Sequence, residues 1–147
     1  MNDILYATDD KLRAVVNTNV LVSALISPGG NASAILRKIE ENLLIPVYCD
    51  EILREYIIVL SRPRFGFPKA LLDDALGLFQ IYGLMAYPRK SCIYMPDEND
   101  RIFYDVAKAS GSLLITGNIK HFPHDKDILS PSDFLNNYRK YLDKSKI

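Results

Sequence analysis

The chain has 147 residues, enough for one domain with a substantial core. Its 18 acidic and 18 basic residues cancel, which excludes a strong uniform field for a polyanion yet leaves room for a small basic rim around an acidic site. No run reaches the roughly 18–20 apolar residues of a membrane span, and the acidic start MNDILYATDDKLR lacks the basic-then-apolar layout of a secretory signal.

A cytoplasmic location without membrane attachment is therefore expected. Cys49 and Cys92 stand far apart in sequence and read as two buried, reduced thiols rather than a disulfide.

Residues 1–12 read as a variable leader, 13–138 as the domain and 139–147 (RKYLDKSKI) as a charged tail. Within the domain, Ala14–Val16 is expected to be a buried strand. A helix over Val20–Ile26 is closed by Ser27-Pro28-Gly29-Gly30, and Ala32–Asn42 makes a second helix. Leu43–Tyr48 reads as a strand, and Asp50 as the N-cap of a helix that ends before Arg62-Pro63.

Pro68 opens a helix to about Tyr82, and either Leu84–Tyr87 or Cys92–Met95 supplies a third strand. Pro96-Asp97-Glu98-Asn99 turns into a helix through Ser110, Leu113–Thr116 is a strand, and Ile128-Leu129 a last short one. Ser130-Pro131 starts the final helix. Strands alternating with helices imply an α/β protein with a parallel sheet covered on both faces. Ligand sites in such sheets lie beyond the carboxyl ends of the strands. Asn17, Asn118 and the start of the helix carrying Asp100 all fall there.

The segment 99–110 sorts its acids by helical angle. Ile102, Phe103, Val106 and Ala107 form an apolar stripe, which Asp100 extends into the first turn. Asp105, between Arg101 and Lys108, reads as a solvated salt-bridge partner. Taken alone, Asp100 needs no role beyond a favourable charge on the helix dipole. Glu55 sits among Ile52, Ile58 and Val59, where an ionised carboxylate is costly unless it is paired or bound to a cation. By itself that position stays open between a site and an acid reaching water or Arg54.

Asp97 and Asp100 form a weak DxxD pattern in which one side chain caps the helix and the other is free to bind a metal. His121 and His124 read as surface histidines without a zinc set. No GxGxxG, Walker or GxSxG pattern is present. Tyr138 and Tyr141 read as packing residues.

Four segments together resemble the PIN-domain family of metal-dependent ribonucleases, most closely its toxins of bacterial toxin–antitoxin systems. They are VVNTNVLVSAL at 15–25, EILREYIIVLSRPRF at 51–65, DENDRIFYDVAKASGSLLITGNIKHFP at 97–123 and ILSPSDFL at 128–135. The resemblance implies a three-layer α/β/α sandwich with a mostly parallel central sheet. It also implies acids at the strand ends that bind Mg²⁺ or Mn²⁺ and hydrolyse single-stranded RNA. Carried over by position, the family's acids fall on Asn17, Glu55, Asp100 and Asn118. Asp97 matches a further acid of this branch, and Thr18, Asn19 and Thr116 match small polar positions that support the cluster.

An acid on an apolar flank, such as Glu55, makes sense if it faces a cation. Two of the four positions are amides. Asn at 118 is ordinary in this branch, whereas Asp is usual at 17. An amide oxygen still coordinates a hard cation but adds no charge, so weak metal affinity and reduced or absent activity are expected.

The leading expectation is thus an endoribonuclease toxin restrained by a small antitoxin protein. The alternative is a non-catalytic PIN domain that binds RNA or a protein partner. A flavodoxin-like ligand domain is a third reading of the same sheet, though without a phosphate loop. Arg62, Arg64, Lys69 and Lys120 are the candidate RNA contacts, and a homodimer is implied by resemblance alone.

Overall fold

The structure, a computed structural model, describes residues 11–145. The leader expected at 1–12 lies outside them except for its last two residues, and Leu12 already opens the first strand.

Strand β1 (Leu12–Val16) occupies the middle of a five-stranded sheet. Its residues Ala14, Val15 and Val16 are all fully buried. Successive side chains of a strand point to opposite faces, so this run is apolar because helices cover both faces. Helix α1 (Thr18–Ile26) follows at once. Helix α2 (Asn31–Glu40) buries Ala32, Ile35, Leu36 and Ile39, the three-and-four spacing of one apolar stripe. Asn42, in the left-handed region at φ 61°, ends that helix.

Strand β2 (Leu44–Tyr48) pairs in parallel with β1, and helix α3 (Asp50–Leu60) starts directly after it. Cys49, not Asp50, holds the N-cap position, and Asp50 and Glu51 lie in the first turn, where they complement the helix dipole. Helix α4 (Lys69–Tyr82) leads through Gly83 to strand β3 (Leu84–Met85), which pairs with Val47 and Tyr48. A Cβ at Gly83 would lie 2.7 Å from the Pro46 carbonyl oxygen, so only glycine lets the chain pass this close to β2. Of the two candidates for a third strand, the structure forms the first. Cys92–Met95 makes no ladder and belongs to an irregular segment that crosses from β3 to the next helix.

A 3₁₀ turn (Glu98–Asp100) feeds helix α5 (Arg101–Ser110), closed by Gly111 at φ 64°. Strands β4 (Leu113–Ile115) and β5 (Ile128–Leu129) complete the sheet in the order β3-β2-β1-β4-β5, parallel throughout. Ser130 caps helix α6 (Pro131–Asn136) by accepting from the Asp133 N–H. The stretch read as a charged tail continues as helix α7 (Tyr138–Ser145), and its Leu142 is buried in the core. Tyr138 donates to the Leu43 carbonyl at 3.1 Å, the packing role expected of it.

Counting outward from β1, the chain first adds β2 and β3 on one side, then β4 and β5 on the other. The order therefore reverses between β1 and β4, and at such a switch point the flanking loops part to leave a crevice. Beneath it, Tyr56 is packed between Phe79 (centroids 5.0 Å apart) and Phe103 (6.2 Å), tying α3, α4 and α5 together.

Candidate active site

Asn17 is the first residue past β1, and its backbone N–H donates to the Ile115 carbonyl at 2.9 Å, extending the pairing with β4. It holds the N-cap position of α1, yet its side chain makes no capping bond. That frees the amide to face the crevice while remaining only 4% exposed. Its Oδ1 accepts from the Thr116 hydroxyl at 3.4 Å. The Thr116 oxygen also accepts from the Asn118 N–H at 3.0 Å and the Asn19 amide at 3.5 Å. Asn19 Oδ1 in turn accepts from the Gly117 N–H at 2.9 Å. A Cβ at Gly117 would stand 3.2 Å from that oxygen, so glycine allows the loop after β4 to close onto Asn19.

Thr18 is buried, and among the described residues its hydroxyl is the buried side-chain polar atom left without a hydrogen-bond partner. Below this floor the Tyr56 hydroxyl donates to the Val16 carbonyl at 2.6 Å. The bond fastens α3 to the residue before Asn17, so the element carrying Glu55 is fixed to the end of β1. Burial pushes the Tyr56 hydroxyl well above its usual range.

The acids come from the helices. Asp100 ends the 3₁₀ turn before α5, and Asp97 caps that turn by accepting from the Asn99 N–H at 3.0 Å. Asp97 is thus the capping member of the DxxD pair. Glu55 is partly buried on α3. Burial raises its carboxyl above the usual range, Asp100 and Asp97 raise it further, and Arg62 pulls it back. Asp100 is raised first by burial and then by Asp97, while His121 and the Asn17 amide draw it down. The His121 Nδ1 lies 3.4 Å from Asp100 Oδ2. The structure therefore gathers Glu55, Asp97, Asp100 and Asn17, and adds His121, a residue expected merely at the surface. Its signal in the sequence is its place three residues after Asn118, in the 3₁₀ turn Ile119–His121.

Among the described residues, no three His, Cys, Asp or Glu side chains converge as a ready-made metal cage. The donors are nonetheless hard oxygens, and the two raised carboxyls repel each other. A divalent cation relieves that repulsion. Mg²⁺ takes one or two protein carboxylates and keeps several waters. The donor set suits a hydrated ion, which Asp100 and Glu55 would hold with the Asn17 amide beside them.

Of the basic residues expected near the site, Arg62 acts electrostatically on Glu55. Arg64 lies over the Phe65 ring at 4.9 Å, and Lys69 pairs with Asp73 at 2.8 Å. Lys120 and the side chain of Asn118 are exposed on the loop after β4.

Two expectations are corrected. Asp105 is not solvated: it is 5% exposed, and its Oδ2 accepts from the Ser91 N–H at 3.0 Å. Arg101 and Lys108, its presumed partners, pair instead with Glu98 and Asp125. Cys92 is exposed, and only Cys49 is buried. A cleft of about 510 Å³ lies beside the acids, between α3 and the irregular segment after β3, with Glu55, Arg54 and Ile58 on one wall and Pro88, Lys90 and Arg101 on the other.

A family model described as a PIN domain matches residues 13–120. An uncharacterised protein of Methanocaldococcus jannaschii is 31% identical over 127 residues, covering 84% of this chain and 77% of that relative. No solved structure matches the chain.

Proposed function

The chain belongs to the PIN-domain family, whose members are typically nucleases that use divalent metals, and from that premise we propose that it is a metal-dependent endoribonuclease cleaving single-stranded RNA. The observation that carries this reading is the raised pair Glu55 and Asp100 at the switch point of the sheet, each pushed up by burial and by neighbouring carboxylates. Folded proteins do not gather partly buried acids beside one another without cost. A cation site accounts for the arrangement.

Asp100 and Glu55 would hold Mg²⁺ or Mn²⁺, with Asn17 and Asn118 contributing oxygens or orienting water, and the ion would lower the pKa of a bound water and offset charge on the phosphate. The chain's own groups set the stage. Thr116 fixes the Asn17 amide, the Asn17 amide and His121 orient the Asp100 carboxylate, and Tyr56 holds α3 so that Glu55 faces Asp100. Arg62 tempers Glu55 and is placed to meet a phosphate. In the reaction water adds to phosphorus and one P–O ester bond breaks.

On the strength of the sequence resemblance, the biological setting is that of a cytoplasmic toxin, acting as a homodimer and restrained by a small antitoxin protein. The test is cleavage of an unstructured RNA with Mn²⁺ or Mg²⁺ beside an Asp100→Ala control. Cleavage by the parent alone supports the reading, and equal cleavage by both points to a contaminating nuclease.

One observation favours a second reading, an attenuated or non-cutting domain that binds RNA or a protein. The neutral Asn17 stands where the resemblance places an acid, and it satisfies Asp100 with an amide rather than a shared ion. A parent that cuts well ends that reading. Cleavage appearing only in Asn17→Asp establishes it.

A further inference from the structure

The segment between β3 and the 3₁₀ turn reads AYPRKSCIYMP from Ala86 to Pro96, with two cations and no acid. Tyr87 is 76% exposed and Tyr94 81%, whereas Tyr48, Tyr56 and Tyr104 are buried. Single exposed apolar residues are ordinary. Two open tyrosine rings flank Arg89 and Lys90 in sequence on one short segment.

The segment is also anchored at its middle. The buried Asp105 carboxylate accepts from the Ser91 N–H at 3.0 Å, and Arg101 Nη1 donates to both the Ser91 carbonyl and hydroxyl at 3.0 Å. Arg101 is itself gripped by Glu98, and Met95 is buried at the far end. A buried carboxylate and a bidentate arginine are thus committed to fixing the backbone of an otherwise irregular strap.

Pro88 and Lys90 of the strap line the 510 Å³ cleft, which Glu55 and Arg54 also line, and Tyr87, Arg89 and Tyr94 lie outside it on the same segment. Lys90 is within 4.0 Å of Glu98 in a well-exposed pair, which is worth little and yields readily to a phosphate. Arg89 is exposed and has no ion-pair partner among the described residues. Exposed aromatic rings interleaved with cations are what unpaired nucleotides recognise, bases by stacking and phosphates by charge.

We propose that residues 87–94 are a preorganised strap for single-stranded RNA, on which Tyr87 and Tyr94 stack bases while Arg89 and Lys90 meet phosphates and direct the strand along the cleft toward Glu55. The inference rests on reading the chain as one that takes single-stranded RNA, and it does not require that the chain cut it.

The experiment measures binding of a fluorescent, uridine-rich RNA oligonucleotide by anisotropy in the presence of EDTA, so that no cleavage intervenes. The full chain is compared with Y87A/Y94A, Y87F/Y94F and R89A. The double alanine variant is expected to bind at least about tenfold more weakly. The double phenylalanine variant should keep the parent's affinity, because stacking needs the ring and not the hydroxyl. R89A should flatten the salt dependence by about one in log–log slope. The corresponding RNA duplex, whose bases are stacked on each other, should bind the parent poorly.

Unchanged RNA binding by Y87A/Y94A overturns the proposal, including the case in which those tyrosines prove to hold a protein. So does equal loss in the phenylalanine variant, or equal affinity for the duplex. If the strap governs binding but the parent does not cut with metal, the strap stands and the catalytic reading fails. If the parent cuts while its binding ignores the strap, the reverse holds.

Discussion

Two regions meet at the end of the sheet, and they are built on opposite terms. The floor, made by Asn17, Thr116, Asn19 and the loop after β4, is neutral and closely hydrogen-bonded. The rim, made by Glu55, Asp97 and Asp100, is charged, and burial and neighbouring carboxylates raise its Glu55 and Asp100 carboxyls. The floor is held by hydrogen bonds between neutral groups, whereas the rim keeps like charges close together. A parallel sheet supplies precise position through backbone pairing. Charge is brought in by the middle of α3 and by the 3₁₀ turn before α5. The neutral Asn17 belongs to the floor, although its place in the sequence would have put it in the rim.

The largest break in this contrast comes from removing the rim. Asp100→Ala should lower RNA cleavage by at least the roughly 100-fold that loss of even an outer partner of a metal site reaches, read by single-turnover assay. Asn17→Asp converts floor into rim. It removes an amide from beside Asp100 and adds a fourth acid to the three of the rim, so Mn²⁺ affinity should rise about tenfold or more. Without metal the same change should lower the melting temperature, because the added charge is buried against like charge.

Tyr56→Phe attacks the joint between the two regions. It leaves the packing against Phe79 and Phe103 but strands the Val16 carbonyl, and should cost about 1–3 kcal/mol in denaturant unfolding. Cleavage should fall with it, since α3 then holds Glu55 less firmly.

The smallest effect is one of pH. Glu55 and Asp100 are raised in the folded state, so the fold binds their protons more tightly than the unfolded chain does. That contribution is present below the ordinary carboxylate range and is lost as pH rises through the raised values. Glu55→Gln and Asp100→Asn should therefore each raise the melting temperature of the metal-free protein slightly at neutral pH. The gain should vanish in acid.

Much of this was legible in the sequence because the signals are local. VVNTN and LLITGN announce buried strands that end in small polar residues, and Gly111 and Ser130-Pro131 punctuate helices as their conformations require. What was not legible depends on distant partners. Asp105 looked solvated because Arg101 and Lys108 lie one turn away on its helix. Both cations find better partners in Glu98 and Asp125, and the strap lies over that face of α5, so Phe103 to Ala107 are all buried in succession. The approach of His121 to Asp100 and the bond from Tyr56 to Val16 likewise depend on the closed sheet. The helix over the charged tail was missed for a related reason. Its anchors are Leu142, buried in the core, and Tyr138 and Tyr141, packed against it, and their burial depends on the rest of the fold.

The most direct test of the central claim, that an acidic rim of mutually repelling carboxylates binds a cation above a neutral floor, is a Mn²⁺ titration followed by thermal unfolding. A ligand that binds the folded state alone must stabilise it. The account predicts a rise in melting temperature for the parent, a larger rise for Asn17→Asp and none for Asp100→Ala. No rise in either the parent or Asn17→Asp, or an equal rise in all three proteins, would contradict it.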